Sequence, residues 1–182
     1  AGNPEMNLAE MARRAVVRLR WDYAQPDRAA EYASMLEKAR DGGYALIPLG
    51  RFVADLRAGR APDRCLVLRH DVDISSPEGN EEFFRAERAA GARATYYFRL
   101  STAGSQLDLI RRLRESAFEV GYHFEEGATF AKRHRLTRRE EVFARRDEVV
   151  AAFRGNCRRI RETWSPDLRS ASSHGDWVIF GK

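Results

Sequence analysis

Cys65-Leu66-Val67-Leu68-Arg69-His70-Asp71-Val72-Asp73 decides the fold, because an apolar run ends there in two carboxylates. Four apolar residues in succession predict a strand buried on both faces, as in a parallel sheet covered by helices. The acids then stand at its C-terminal end, where α/β sheets and barrels bind ligands because the loops leaving the strands converge there. Side chains two apart on a strand point the same way, so Asp71 and Asp73 share one face while His70 and Val72 share the other. Two like charges this close resist joint ionisation unless a cation or a proton lies between them. A lone Asp-x-Asp is more often a helix-capping turn, but the residues downstream outweigh that reading.

Upstream, residues 1–26 read as an N-terminal extension without a firm element. Asp27 opens a helix with Tyr32, Leu36 and Ala39 on one face, stopped by Gly42-Gly43. Tyr44-Ala45-Leu46-Ile47-Pro48 is a short strand, and residues 50–58 form a helix carrying Phe52, Val53 and Leu56. Downstream, Ser76-Pro77-Glu78 combines an N-cap, a first-turn proline and an early acid, and starts a helix that runs to Gly91. Ala94 to Leu100 is an aromatic-rich strand, and Leu107, Ile110 and Leu113 mark the next helix. Phe118 to His123 is a strand ending in histidine. Thr137-Arg138-Arg139-Glu140 has capping-box form and opens a helix carrying Val142, Val149 and Phe153. Arg169 to Gly175 is a further strand tip that reaches His174, and Trp177-Val178-Ile179-Phe180 begins another element.

Strands alternating with helices predict right-handed βαβ units and an α/β fold with a parallel sheet or barrel. Residues 27–182 are expected to form one domain of four or five such units, truncated at its C-terminal end.

The 182 residues are 43% hydrophobic and 10% aromatic, which is ordinary globular composition and argues against disorder. Lysine occurs only at Lys38, Lys132 and Lys182, so the net charge of +5 is carried by arginines interleaved with acids, as in Arg138-Arg139-Glu140-Glu141. That mixing describes solvated helix faces, and no nucleic-acid partner is expected. Cys65 and Cys157 are too few for a disulfide framework or a cysteine metal site. With no apolar run of membrane-spanning length and no signal-peptide pattern, a cytoplasmic location is expected.

Asp71 with Asp73, His123 and His174 all fall at C-terminal strand ends, where separate loops can bring them together. Carboxylate oxygen and imidazole nitrogen suit a divalent ion such as zinc. Either histidine alone would more often be a surface or core residue. Their shared placement favours a metal. His134 follows Lys132-Arg133 in a basic loop and reads as solvated, while Tyr96, Tyr97, Tyr122 and Phe124 read mainly as core.

On Leu68-Arg69-His70-Asp71-Val72-Asp73, Ala94-Thr95-Tyr96-Tyr97-Phe98 and Glu119-Val120-Gly121-Tyr122-His123-Phe124-Glu125, the chain resembles the polysaccharide deacetylase superfamily. These are carbohydrate esterases built on a distorted (β/α) barrel. Leu36-Glu37-Lys38-Ala39-Arg40-Asp41-Gly42-Gly43-Tyr44 is similar to the helix-to-strand passage common in members with an Asp-x-Asp motif, and the resemblance spans about residues 30 to 175.

The resemblance implies that Asp71 is the general base, Asp73 a metal ligand and His123 the first ligand of the family's histidine motif. The family has a second histidine four residues later, where this chain has Gly127. Glu125, Glu126 or His174 is left to complete the coordination, and His174 is favoured because it lies at the tip of the next strand. The family's Arg-Pro-Pro-Tyr-like segment is absent, with Ser172-Ser173-His174-Gly175 in its approximate place. Its late-strand general acid has no match, so His174, if not a ligand, is the candidate donor to the leaving amine.

The implied activity is metal-dependent hydrolysis of an N-acetylated or otherwise acylated sugar in polysaccharide biosynthesis. The alternative is a degenerate deacetylase-fold protein that binds carbohydrate without hydrolysing it. An amide is a poor electrophile and water a poor nucleophile, and a divalent metal beside a carboxylate base activates both.

Overall fold

The computed structural model describes residues 28–180 except 75 and 76, with 12, 13, 16 and 17 described in isolation and the side chains of 179 and 180 left out. The Asp27 helix start and the Ser76 cap lie outside the described residues, as does nearly all of the 1–26 extension.

Helix α1 (Ala29–Asp41) ends at Gly42, and Gly43, at φ +78°, turns the chain into β1 (Ala45–Pro48). Then follow α2 (Leu49–Arg57), β2 (Cys65–Val72), α3 (Glu78–Ala89), β3 (Thr95–Phe98), the short α4 (Leu100–Ala103), α5 (Leu107–Glu115) and β4 (Glu119–Phe124). Three helices, α6 (Glu126–His134), α7 (Arg139–Ala144) and α8 (Arg146–Thr163), precede β5 (Ala171–Ser173) and α9 (Trp177–Phe180). All five strands are parallel, and they lie side by side in chain order. The α/β class with a parallel sheet is therefore as expected from the sequence.

Parallel strands that follow chain order wind in one direction, so right-handed crossovers send their helices to one face. The even-numbered strand residues supply that buried face: Leu46, Leu68, Val72, Tyr96, Phe98, Val120 and Tyr122 pack in one core with Leu36 of α1, Phe84 of α3 and Leu113 of α5. Each such side chain fully removed from water contributes about 1.5–3 kcal/mol. The odd-numbered residues Arg69, Asp71, Thr95, Tyr97, Glu119, Gly121 and His123 form the other face, and it is polar.

The N-terminal edge of that polar face is tied to α2. Glu119 accepts hydrogen bonds from the Gly50 and Arg51 amides at 2.8 and 2.9 Å, and from Thr95 Oγ1 at 2.7 Å. A carboxylate on two first-turn amides satisfies donors the helix cannot, and it complements the helix dipole.

Several expectations need correction. Cys65, Leu66 and Val67 are only partly buried, because β2 is covered on its even side alone and Arg69 and Asp71 are exposed. In α5 the buried residues are Leu109, Ile110 and Leu113, while Leu107 is half exposed. The 3-10 turn Gly104–Gln106 precedes that helix and shifts its phase. The segment holding Val142, Val149 and Phe153 is two helices, broken at Arg145, and the residue that caps the first is Glu141 rather than Glu140. Leu56 is exposed and Asp55 is the buried residue of α2, while His134 ends α6 instead of lying in a loop.

Candidate metal centre

Strand register assembles the site. Arg69 pairs with Thr95, Asp71 with Tyr97, Tyr97 with Gly121 and His123 with Ser172. Asp73 lies one residue beyond β2, and His174 one residue beyond β5, its amide donating to the Phe124 carbonyl at 2.8 Å. Alternation along extended chains thus puts Asp73, His123 and His174 on the polar face at the C-terminal strand ends.

The three converge, and one donor atom from each lies within 4.8 Å of the other two. His123 Nε2 is 3.4 Å and His174 Nε2 is 3.5 Å from the same oxygen, Asp73 Oδ1. Charge-assisted hydrogen bonds close to about 2.7–2.9 Å, so these spacings are long for direct bonding. Two donors held about 2.0–2.2 Å from one tetrahedral ion stand roughly 3.4 Å apart, and the observed separations fit that edge.

Hydrogen bonding also selects the tautomer of His123. Its Nδ1 lies 3.1 Å from the Ser172 carbonyl oxygen, which can only accept, so Nδ1 carries the proton and Nε2 offers its lone pair to the site. His123 is nearly enclosed, whereas the Asp73 side chain is 48% exposed, which leaves the cluster open to solvent on the Asp73 side. The donor set and this tautomer fit a divalent ion. Asp73, His123 and His174 form a possible metal-binding triad.

The backbone carrying Asp73 is held from several directions. Thr102 Oγ1 donates to the Val72 carbonyl at 3.1 Å, Gln106 Nε2 donates to the Ile74 carbonyl at 2.8 Å, and Arg99 Nη1 reaches the Asp73 carbonyl at 3.5 Å. Preorganisation of this kind lowers the cost of gathering ligands.

Asp71 points to the same face, one strand step before Asp73. Arg69 grips it with two hydrogen bonds, Nε to Oδ1 at 2.9 Å and Nη2 to Oδ2 at 2.7 Å, and also bonds Ser172 Oγ. The bond to Asp71 is the main cause raising the Arg69 pKa. Arg69 lies over the Tyr97 ring at 5.1 Å, and Tyr97 in turn donates to Ser170 Oγ at 3.1 Å.

The two carboxylates considered beside His174 are engaged elsewhere. Glu125 accepts from Arg99 at 2.6 Å, and Glu126 accepts from Tyr122 OH and Asn156 on the far side of β4. Of the remaining histidines, His70 faces the helices and contacts Glu87 at 2.6 Å, and His134 packs on Phe130.

No protein-family model, curated protein or solved structure matches the chain. The geometry of the site therefore carries the functional argument.

Sequence reasoning gave no role to Arg69, Arg99 or Ser172. Arg69 was findable, since it lies two residues from Asp71, whose face the alternation assigns. Ser172 meets Arg69 with its hydroxyl but meets His123 with its carbonyl, a contact no side-chain pattern reveals.

Proposed function

We propose that the chain is a metal-dependent deacetylase-like hydrolase acting on an N-acetylated or otherwise acylated sugar. On this reading the sheet is part of a distorted (β/α) barrel of the polysaccharide deacetylase type. The observation that carries it is the convergence of two histidine Nε2 atoms on one carboxylate oxygen, with a carbonyl fixing the His123 tautomer. In-order parallel strands with a polar face and helices on the other face support the barrel.

Asp73, His123 and His174 would hold a divalent ion, with zinc favoured by the mixed imidazole and carboxylate set. Such an ion supplies Lewis acidity, activating water and polarising a carbonyl oxygen. Asp71 would take the proton from the attacking water, its carboxylate oriented by Arg69.

A second reading, carbohydrate binding without hydrolysis, is favoured by one observation. With His174 in the triad, and with His70 and His134 engaged away from it, no described histidine remains as general acid for the leaving amine.

Turnover separates the two readings. The zinc-loaded chain is expected to release acetate from chitooligosaccharides, and Asp71→Asn is expected to keep its zinc while losing about 10²–10⁴-fold in rate. Sugar binding without acetate release would establish the second reading. Loss of zinc from Asp71→Asn would make that residue a ligand.

A further inference from the structure

The interleaving of arginine with acids fails at one place. Lys132-Arg133-His134-Arg135-Leu136-Thr137-Arg138-Arg139 holds five arginines or lysines and no acid. This stretch is the turn from α6 to α7. Arg135, left-handed at φ +55°, closes α6, and the Leu136 amide donates to the Ala131 carbonyl at 2.9 Å while Leu136 packs against the small core around Phe130 and Val142. Apart from Leu136, every residue of the turn is exposed. Of the neighbouring acids, Glu141 pairs with Arg138 at 3.0 Å, Glu148 with Arg145 at 2.6 Å and Asp147 with Arg146 at 3.8 Å. Among the described residues, Lys132, Arg133, Arg135 and Arg139 have no ion pair, and Glu140 is the acid left beside them. The α6 dipole accounts for Lys132 and Arg133 in its last turn, but Arg138 and Arg139 stand at the N-terminal end of α7, where a helix favours acids.

Apolar side chains are exposed beside these cations. Arg139 lies over the Phe143 ring at 5.0 Å, and Phe143 and Val150, 47% and 42% exposed, border an apolar cavity between α6, α7, α8 and α9 that Gly127, Val142 and Val178 also line. Water suits the cations but not Phe143 and Val150. A single-stranded nucleic acid meets the charge, yet Arg139 already covers one face of Phe143, and Val150 offers no ring on which a base could stack. A bilayer of anionic phospholipid meets both, with phosphate and carboxylate headgroups above an apolar boundary. We propose that the α6–α7 turn docks on an anionic phospholipid surface, with Lys132, Arg133, Arg135 and Arg139 among the headgroups and Phe143 and Val150 at the acyl boundary. Exposed arginine and lysine keep their charge at neutral pH, so the attraction needs no titration. The surface is independent of the hydrolase reading, since none of these residues belongs to the triad.

Co-sedimentation of the full chain with vesicles tests the proposal, comparing equal parts phosphatidylserine and phosphatidylcholine with phosphatidylcholine alone. Binding is expected to the mixed vesicles only, and to fall as salt is raised. A cation near an anionic leaflet strengthens partitioning roughly fivefold, so Arg133→Glu with Arg139→Glu should weaken it at least tenfold. Phe143→Ser should weaken it severalfold while leaving the salt dependence in place. Arg57→Glu with Arg60→Glu makes the same change in net charge on exposed residues beside the opposite end of the sheet, and it should weaken binding much less. Should a variant lose its far-UV circular dichroism, the parent chain's preference between the two vesicles still decides the matter. Equal binding to both vesicles, binding to neither, or equal loss from the Arg57 and Arg60 pair would each overturn the proposal. Tighter binding to polyuridylate than to the mixed vesicles would also overturn it, in favour of a nucleic-acid partner.

Discussion

A β-carbon placed on Gly127 would stand 3.2 Å from Val178 Cγ1, and no atom of Asp73, His123 or His174 lies within 4 Å of it. The position four residues after His123, where deacetylases have their second histidine, therefore faces α9 and the apolar cavity instead of the triad. On the proposed hydrolase reading, His174 would supply that ligand from another strand. His174, four residues before Val178, comes from the same β5–α9 segment that closes over Gly127.

Placing histidine at position 127 should consequently fail to supply a ligand to the triad. In a His174→Ala background, Gly127→His is expected to leave zinc affinity as low as in His174→Ala alone, and overpacking against Val178 should cost about 1–3 kcal/mol. Zinc titration and urea unfolding of the two proteins provide the comparison. Recovery of tight zinc binding by the double variant would refute the placement.

Gly121 serves the same face differently. A β-carbon there would overlap the Tyr97 ring, which lies across β4 and carries Arg69 above it. Gly121→Ala should push Tyr97 aside, releasing Arg69 from its stacked position and so disordering Asp71. Turnover is expected to fall at least tenfold with zinc affinity nearly unchanged, because none of the displaced groups is a proposed ligand. Unaltered turnover would show that the Tyr97–Arg69 stack does not position Asp71.

Behind the sheet, Glu87 is fully buried and gathers Tyr32 OH at 2.6 Å, Tyr96 OH at 2.7 Å and His70 Nε2 at 2.6 Å. Burial, more than any other cause, raises the pKa of Tyr32 and of Tyr96 far above the ordinary tyrosine value, with Glu87 adding to both. A raised acid pKa means that the folded state holds the proton more tightly than the unfolded state. The stabilisation is complete below the unfolded value of about 10 and is lost progressively as pH rises above it. The urea midpoint is thus expected to fall between about pH 9.5 and 11.5, and Tyr96→Phe should flatten that fall. A variant with the same alkaline slope as the parent protein would exclude Tyr96 as a cause.

The same residues show what the sequence made legible. Period-two alternation assigns Asp71 and Asp73 to one face with no knowledge of partners, and the aromatic run Thr95–Phe98 marks β3 by composition alone, whereas the register that sets His123 on the same face is a property of the assembled sheet. Glu87 was out of reach, because its burial depends on residues 9 to 55 positions away in the chain. Leu107 misled for a local reason, the 3-10 turn that re-phases α5. The parallel pairing of the strands followed from the βαβ pattern, whereas their order and the one-sided cover of β2 depend on which way the helices return.

The identity of the third ligand is the sharpest remaining test, since two chemistries compete for it. His174 shares Asp73 Oδ1 with His123, while Glu125 is tied to Arg99 and Glu126 turns away to Tyr122 and Asn156. Recruiting either carboxylate would break those bonds. His174→Ala is therefore expected to weaken zinc binding by at least tenfold, as Asp73→Asn and His123→Ala also should, whereas Glu125→Gln and Glu126→Gln should change it by less than about threefold. Isothermal titration with zinc gives the affinities, and far-UV circular dichroism checks that each variant folds. If His174→Ala kept its zinc and lost only turnover, His174 would be the proton donor to the leaving amine. A sharp loss of zinc from Glu125→Gln would instead transfer the ligand role to that carboxylate and require Arg99 to release it.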